Sequence, residues 1–383
     1  MFLFDSSFAE FSVPWNLPIS NRIALLTKKT SRIAYYYDKA DTTTFRYRVF
    51  NMVEAINAST SISASWFFKD DLVHLQRLLP EIDTLIVCRA KYTIALAQVI
   101  QSAKAKGTRV LYDIDDLVFD IAHTQIVMDS TNQQSNEKSL DLWFAYISRI
   151  QQAASLCDGC ISTNRYIGSL LSKTFDFPVY IVKNFLNREQ NNYSNCIAKR
   201  KEDANFKRDS NIHIGYFSGT FHHQRDFKLV EDALISIMSK HTNVILRIVG
   251  LLDLAPCFKN FGDRIERYPL QNYLNLQQLI AEVEINISPL QDNIFTNCKS
   301  ELKYFEASVV GVPTIGSPTY ALYHAIQRSE IGFVANNHMW SETIEELIEK
   351  TELRNLNYTA EAMLANREYG WKSQLEIIES IAL

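Results

Sequence analysis

The stretch NCKSELKYFEASVVGVPTIGSP, residues 297–318, reads as a helix followed by a buried β-strand. The hydrophobic face of the predicted helix is made by Leu302, Phe305 and Val309. The same helix would place Lys299 and Lys303 one turn apart, where like charges cost roughly 0.2–0.5 kcal/mol. Because a bound anion would offset this repulsion, the pattern predicts an anion site at the start of the helix.

Helix and strand patterns alternate along most of the chain, which is typical of parallel α/β layers. The strands predicted in the first half are RIAYYY, TLIVCR, RVLYDI, GCISTN and VYIVKN. Those predicted in the second half are IHIGYFSG, VILRIVG, IERYPL, INISPL, VPTIGS and IGFVAN. Helical stretches lie between them, for example YTIALAQVIQSAKAKG, which ends in a glycine that favours a helix stop. The predicted fold class is therefore α/β.

The polar segment 187–210 interrupts this alternation, because it is rich in charged residues and has little periodicity. A chain of 383 residues is also too long for one small core. We therefore predict two Rossmann-like domains that face a cleft, one over 1–186 and one over 211–365, joined by 187–210 as a linker or exposed loop. The final segment, 366–383, is predicted to form a helix that packs back on the N-terminal domain.

Composition and charge narrow the class of protein. A formal net charge of -4 carries no general nucleic-acid signature. The N-terminus lacks the features of a signal peptide, and no window offers the ~18 apolar residues of a membrane span. Six cysteines in a chain of this length indicate no disulfide framework, so we expect a cytoplasmic protein. Cys157 and Cys160 have C-x-x-C spacing and are predicted to be buried structural thiols, with redox or metal chemistry as the alternative.

Ligands of open parallel sheets bind beyond the carboxyl ends of the strands, and several strand ends in the second half carry suitable residues. In GYFSGTFHHQRDF, Gly219 has no Cβ, so its backbone can approach a ligand closely, with Thr220 beside it. His223 and Arg225 lie just before the next helix and could pair with phosphate oxygens. An ordinary loop with Asp226 as the helix cap is the alternative.

The second candidate site is the helix of 297–318, which follows the predicted strand INISPL. Lys299 and Lys303, with Ser300 between them, would neutralise a diphosphate. Glu306, one to two turns deeper, could accept hydrogen bonds from the vicinal hydroxyls of a ribose. A solvated basic face is the alternative. The turn after VPTIGS is a third strand exit whose backbone could contact a sugar or phosphate, although an ordinary exit is equally compatible with its sequence.

Together, these segments resemble a known family. GYFSGTFHHQRDF, LRIVG, INISPLQDNIFTNCKSELKYFEASVVGVPTIGS and IGFVANNHMW are similar to the donor half of GT-B glycosyltransferases of family 4, the bacterial surface-polysaccharide type. The resemblance covers most of residues 211–370 and continues more weakly into the first half. It implies that Glu306 holds the nucleotide ribose and that Lys299 or Lys303 holds the diphosphate. Many members contact the donor sugar through a glutamate eight residues earlier, where this chain has Cys298.

The segment RVLYDIDDLVFD ends a predicted central strand of the first half. Asp115 and Asp116 should face the cleft, where a carboxylate could orient an acceptor hydroxyl, accept its proton or stabilise positive charge on the anomeric carbon. Helix capping is one alternative. Another is that Asp113 and Asp115 form the metal-binding D-x-D motif of the GT-A fold. The arginines predicted to line the acceptor side are Arg46 and Arg89; Arg46 and Arg48 are two residues apart, so at most one should point into the cleft.

The resemblance implies a sugar transferase whose C-terminal domain binds a nucleotide-diphosphate sugar and whose N-terminal domain binds a glycan or lipid-linked glycan, as in O-antigen or capsule assembly. It implies a retaining reaction, and we expect no metal cofactor and no nucleic-acid partner. The basic residues Lys28, Lys29, Arg32 and Lys39 suggest peripheral contact with the inner membrane, with a solvated surface as the alternative. A nucleotide-sugar 2-epimerase of the same fold and a non-catalytic scaffold are the competing functions.

Overall fold

The computed structural model describes residues 1–5, 7–219, 224–329, 331–349 and 356–382, and over these ranges the strands form two parallel six-stranded sheets. The first sheet has the order β2-β1-β3-β4-β5-β6 and contains β1 (Ser31–Tyr36), β2 (Ile62–Phe67), β3 (Thr84–Cys88), β4 (Arg109–Asp113), β5 (Gly159–Ser162) and β6 (Val179–Ile181). The second has the order β12-β11-β10-β7-β8-β9 and contains β7 (Ile212–Ser218), β8 (Val244–Gly250), β9 (Ile265–Tyr268), β10 (Ile285–Ser288), β11 (Thr314–Gly316) and β12 (Phe333–Val334).

Helices connect the strands of both sheets. In the first half they are α1 (Ile19–Leu26), α2 (Asn51–Ile56), α3 (Leu72–Leu78), α4 (Ile94–Ala105), α5 (Thr124–Ser130), α6 (Glu137–Ala154) and α7 (Arg165–Thr174), and α8 (Arg188–Asp203) leads to the second half. There they are α9 (Gln224–Lys228), α10 (Glu231–Lys240), α11 (Tyr273–Glu282), α12 (Ile294–Asn297), α13 (Leu302–Ser308), α14 (Tyr320–Ile326) and α15 (Trp340–Glu349), followed by α16 (Tyr358–Tyr369) and α17 (Trp371–Ala382). No helix in the described ranges is long and apolar enough to cross a bilayer.

The predicted α/β architecture with two parallel sheets is confirmed, and each predicted strand is present close to its expected position. The strand β2 was not predicted. Its sequence, ISASWF, alternates between apolar residues and serine from Ile62 to Trp66 and ends in two aromatic residues, a pattern that favours a strand. The strand is short and buried on both faces, and it pairs in parallel with β1.

The segment 187–210 is mostly helical, so the exposed-loop interpretation is wrong. Asn187 caps α8 by accepting a hydrogen bond from the Gln190 backbone N–H. The buried face of α8 is largely polar and its partners lie far away in sequence, which is why the segment shows little hydrophobic periodicity. At its far end the buried Lys201 ammonium donates to the Val310 carbonyl at 2.8 Å, so α8 is fastened to the end of α13.

The stretch 297–318 does not form the single predicted helix. It contains the end of α12 and all of α13, separated by residues 298–301. The side-chain amide of Asn164, from the first half, donates to the carbonyls of Cys298 at 3.1 Å and Lys299 at 3.3 Å. A continuous helix would use those carbonyls internally. Lys299 therefore lies outside α13, and the predicted stacking of Lys299 on Lys303 is wrong.

Buried apolar side chains join the two halves of the chain. Phe295 and Cys298 belong to the same buried cluster as Leu117 on the first sheet's side. From the C-terminal helix α17, Ile378 and Ile381 join the cluster on the other face of that sheet. The chain crosses between the halves twice, near Leu186 and near Gly370. The two crossings are adjacent, because Leu186 forms a parallel bridge with Gly370.

A buried ion pair closes the carboxyl end of β4. Arg48, in a π-helical turn over Arg46–Phe50, donates from Nε to Asp113 Oδ1 at 2.8 Å and from Nη2 to Oδ2 at 2.9 Å. Its Nη1 also donates to the Val182 carbonyl at 2.8 Å. Burial outweighs the attraction of Arg48 and raises the pKa of Asp113 to about 6.

We expect Arg48→Met to lower the free energy of unfolding by about 3–5 kcal/mol, because it leaves the Asp113 carboxylate buried without its cation. Urea denaturation followed by circular dichroism measures the change. The double variant Arg48→Met/Asp113→Asn is the matched control and should recover at least half of the loss. Equal losses in the single and double variants would show that packing of the arginine, and not the ion pair, supplies the stability.

Candidate functional site

The carboxyl ends of the two sheets face each other across a narrow cleft. The cleft contains a cavity of about 170 Å³ that residues of both halves line. Arg89, Asp116 and Trp143 lie on the first-half wall, and Asp226 and Lys299 lie on the opposite wall. This cavity is smaller than typical ligand pockets, which measure roughly 300–1,000 Å³.

The two aspartates after β4 have different surroundings. Asp115 Oδ1 lies 3.2 Å from Arg89 Nη1, and its Oδ2 accepts a hydrogen bond from the Thr44 hydroxyl at 3.1 Å. Asp116 Oδ1 accepts a hydrogen bond from the Leu117 N–H at 3.0 Å, and the Asp116 residue forms part of the cavity wall. Asp116, which lines the cavity, is therefore the better placed of the two predicted catalytic carboxylates to meet a substrate.

Two cations from opposite walls converge on Asp116 Oδ2. The Lys299 ammonium lies at 2.9 Å and Arg89 Nη2 at 3.5 Å. Burial pushes the pKa of Asp116 upward, but Lys299 and Arg89 together outweigh it and hold the pKa below its usual value. Asp116 is consequently ionised and paired, and such a carboxylate is a weak base.

Arg89 adopts an unusual backbone conformation at the end of β3. Its φ of 45° lies in the left-handed region, which side chains other than glycine rarely adopt. The strain is held by the chain around it, including the hydrogen bond from its N–H to the Asp113 carbonyl at 2.9 Å. Strained residues concentrate at functional sites, and here the conformation brings one guanidinium to both Asp115 and Asp116.

The D-x-D alternative finds little support in the side-chain contacts. Both carboxylate oxygens of Asp113 are bound by Arg48 at the base of the cleft. Asp115, two residues later, is bound by Arg89 and Thr44. A metal ion shared by the two carboxylates would have to break both sets of contacts.

Lys303 is a buried cation in the second half. Its ammonium is shielded from solvent, and it makes no hydrogen bond with any part of the chain that the structure describes. It lies 4.4 Å from the centre of the Tyr216 ring, near the carboxyl end of β7. Burial lowers the pKa of Lys303 to about 8, while Asp226 and Glu306 act in the opposite direction. Among the described residues, this ammonium therefore has no hydrogen-bond partner that an anion would have to displace.

Glu306 lies at the contact between the halves. Its Oε1 accepts from the Tyr47 hydroxyl, from Gln190 Nε2 at 3.3 Å and from Arg46 Nη2 at 3.5 Å. These contacts meet on one oxygen, which leaves Oε2 able to accept hydrogen bonds from a ligand. Arg46, predicted to bind an acceptor, thus approaches the carboxylate predicted to bind the donor, while Arg48 is buried at the base of the cleft.

The remaining predicted donor residues are scattered along the same contact. Gly219 follows β7 and is exposed, and a Cβ there would meet no atom of the described residues within 4 Å. Arg225 Nη1 donates to the Asp129 carbonyl at the end of α5, at 2.7 Å. Ser300 Oγ accepts from Asn184 Nδ2 at 3.0 Å. Two further predicted donor residues lie outside the described part of the chain, Thr220 and His223.

Position 298 has a structural role. The Cys298 side chain is 0% exposed and packs with Phe295 against the first half, so it does not line the cavity. Sequence reasoning identified the missing glutamate at this position, but it did not identify Tyr47 or Gln190 as partners of Glu306. A tyrosine in an amphipathic stretch and a glutamine in a polar segment carry no local signal of a contact with Glu306.

Two other sequence features prove to be parts of the fold. Cys157 and Cys160 are buried free thiols, and burial raises the pKa of each, as expected for structural cysteines. In the basic N-terminal region, the Lys29 ammonium donates to backbone carbonyls, including that of Ile62 at 3.0 Å, and Arg32 pairs with Glu81. These two cations are used within the protein.

No protein-family model matches the sequence, and a search of curated proteins gave no match. Solved structures do match. HepE of Anabaena, in complex with UDP and glucose, is similar over 91% of this chain and 98% of its own, with a TM-score of 0.61 and 12% identity. A glycosyltransferase from Rickettsia africae is similar over 93% of this chain and 98% of its own, with a TM-score of 0.60 and 11% identity. WaaG, a glycosyltransferase involved in lipopolysaccharide biosynthesis, is similar over 91% of this chain and 98% of its own, with a TM-score of 0.56 and 13% identity. The protein has the two-domain α/β architecture of GT-B glycosyltransferases.

Proposed function

We propose that the protein is a glycosyltransferase that moves a sugar from a nucleotide-diphosphate sugar to a hydroxyl group. Two kinds of observation support the proposal. The cleft brings a carboxylate of the first half, Asp116, against a cation of the second, Lys299. In addition, HepE has been solved both with UDP and with UDP-glucose, so a protein of this architecture binds such a donor.

The observation that carries the proposal is the buried Lys303 ammonium. Burying a cation without a partner is costly, and here burial lowers the pKa of Lys303 to about 8. A diphosphate beside Lys303 would supply the missing partner in a low-dielectric site, where charge-assisted hydrogen bonds are strong. The exposed Gly219 lies at the end of β7, the same strand whose Tyr216 ring covers Lys303, and its backbone is open to phosphate oxygens.

Glu306 supports the ribose part of the donor. Tyr47, Gln190 and Arg46 fix its carboxylate through Oε1. The orientation of Oε2 is therefore set before a ligand arrives, which reduces the entropy cost of binding. Two vicinal hydroxyls can donate to a carboxylate in this way.

The transfer breaks the bond between the anomeric carbon and the diphosphate oxygen and forms a bond from that carbon to the acceptor oxygen. The nucleoside diphosphate leaves with the bonding electrons, and Lys303 and Lys299 stabilise its charge. The acceptor hydroxyl loses its proton, which Asp116 on the cavity wall can accept. Because two lysines neutralise the leaving group, the proposal requires no divalent cation.

For the acceptor, we extend the proposal to a glycan or lipid-linked glycan of bacterial polysaccharide assembly. The resemblance of residues 211–370 to family 4 supports this extension, and WaaG, which acts in lipopolysaccharide biosynthesis, has a similar structure. Retention of the anomeric configuration belongs to the same extension. Proton NMR of the newly formed anomeric centre distinguishes retention from inversion.

A donor screen tests the activity. The protein is incubated with a panel of nucleotide sugars, with and without lipid-linked glycan acceptors, and the released nucleotide is measured. Acceptor-dependent release from one donor is the expected result. Failure of the wild-type protein to bind any nucleoside diphosphate would overturn the proposal.

We predict that Lys303→Met weakens nucleoside diphosphate binding by about 10- to 100-fold, because it removes a charge-assisted contact. The same change should raise the free energy of unfolding by about 1–3 kcal/mol, because it removes a buried charge. Calorimetry measures the first effect and urea denaturation the second. Lys240→Met is the control: Lys240 is exposed, and surface ion pairs such as its contact with Glu345 at 2.7 Å contribute little, so neither quantity should change by a comparable amount.

The gain in stability should depend on pH. The pKa of Lys303 is about 8 in the folded protein against 10.5 ordinarily, so the unfolded chain binds the proton more tightly. The cost to the wild-type protein is complete below pH 8 and disappears as the pH rises from 8 towards 10.5. The stability difference between Lys303→Met and the wild type should follow that course, whereas a constant difference would contradict the burial of a charged lysine.

We predict that Glu306→Gln weakens binding of a ribonucleoside diphosphate by about 10-fold or more, since hydrogen bonds to charged groups contribute about 1.5–3 kcal/mol. A 2′,3′-dideoxynucleoside diphosphate separates the ribose contact from other effects. Wild type should lose affinity for the dideoxy ligand, and Glu306→Gln should lose little more. Tyr47→Phe, which keeps the carboxylate, should preserve the preference for ribose. A full preference for ribose in Glu306→Gln would remove Glu306 from the donor site.

A further inference from the structure

We propose that Lys299 exchanges partners during the reaction: it pairs with Asp116 while the donor site is empty and with the donor diphosphate once a nucleotide sugar binds. The donor then uncovers the carboxylate that serves the acceptor. Lys299 in this way contacts the donor directly and also controls the basicity of Asp116. The inference rests on the proposed function, because it takes the anion to be a nucleoside diphosphate.

The first observation is that the pair spans the cleft. Lys299 comes from the segment between α12 and α13, and Asp116 comes from the end of β4 in the other half. Their contact distance is 2.9 Å, and both residues line the same cavity. The Lys299 side chain is 29% exposed and that of Asp116 is 12% exposed, so a ligand entering the cavity can reach the pair.

The second observation is that hydrogen bonds hold the backbone around Lys299, whereas its side chain is bound through the ammonium at its tip. Asn164 holds the carbonyls of Cys298 and Lys299, and Asn184 holds the Ser300 hydroxyl. The lysine side chain is a flexible stem with a compact charge, and its ammonium also lies 4.1 Å from the centre of the Phe295 ring. A new partner therefore requires a change of rotamer and leaves the chain trace in place.

The third observation is that the site proposed for the diphosphate, at Lys303, lies close to Lys299. Asp226 lines the cavity opposite Asp116, and it is the first of the two charges that stabilise the buried Lys303 ammonium. The surroundings of Lys303 and the cavity with Lys299 are thus adjacent. A diphosphate bound at Lys303 carries more charge than one carboxylate, so it competes effectively with Asp116 for Lys299.

The exchange has a chemical consequence for Asp116. Lys299 is the largest of the attractions that oppose the effect of burial on this carboxylate. When Lys299 turns away, burial and the more distant Arg89 remain, and the proton affinity of Asp116 rises. A carboxylate that is a weak base in the empty enzyme becomes a stronger one when the donor is present.

Competition for Lys299 makes a prediction that loss of structure cannot imitate: a variant should bind the ligand more tightly. We expect Asp116→Asn to increase the affinity for a nucleoside diphosphate by roughly 5- to 20-fold, a coupling of ordinary size. Isothermal titration calorimetry with UDP, ADP and GDP as probes measures it on the full chain. In a Lys299→Met background, Asp116→Asn should change the affinity less than about twofold, because the competition is gone.

Asp115→Asn is the matched control, because it removes the same charge from the neighbouring carboxylate, whose partners are Arg89 and Thr44. It should tighten binding much less than Asp116→Asn, and thermal unfolding confirms that each variant is folded. Unchanged or weaker binding by Asp116→Asn, or equal tightening with and without Lys299, overturns the exchange while the proposed function stands. Absence of nucleotide binding by the wild type overturns both.

Discussion

The side-chain amide of Asn164 determines how the cleft is organised. By binding the carbonyls of Cys298 and Lys299, it interrupts what the sequence would otherwise continue as one helix. The interruption sends the two lysines in different directions, Lys299 across the cleft to Asp116 and Lys303 to the Tyr216 ring. A single contact between the halves thus converts a repulsive pair into two separate cationic positions.

The contacts across the cleft follow one electrostatic rule. Charged or polar groups of the second half meet groups of opposite character in the first: Lys299 meets Asp116, Glu306 meets Arg46 and Tyr47, and Arg225 meets a helix-end carbonyl. Apolar contact through Phe295 and Cys298 runs beside them. Polar and apolar contacts together therefore hold the two halves against each other across the cleft.

The sequence predicts those parts of the protein whose determinants are local. Buried strands such as IHIGYFSG and VILRIVG, and the position of Gly107 at the end of α4, follow from patterns within a few residues. The helix α8 and the break before α13 do not, because partners far away in sequence stabilise them. The candidate site divides in the same way. Asp116 and Glu306 stand at recognisable strand and helix ends, whereas Tyr47 reaches Glu306 across 259 positions of chain.

The helix α8 is held by both halves of the chain. Its Lys201 ammonium donates to the Val310 carbonyl at the end of α13, whereas Gln190 Oε1 accepts from Arg46 and the Arg188 N–H donates to Glu54 in the first half. Beside the start of α8, the chain passes between the halves at Leu186 and Gly370, which are bridged to each other. Gly370 has no room for a side chain, since a Cβ would lie 2.5 Å from the Asn366 carbonyl oxygen. The two passages of the chain are therefore packed side by side, and a side chain at position 370 would disturb both of them.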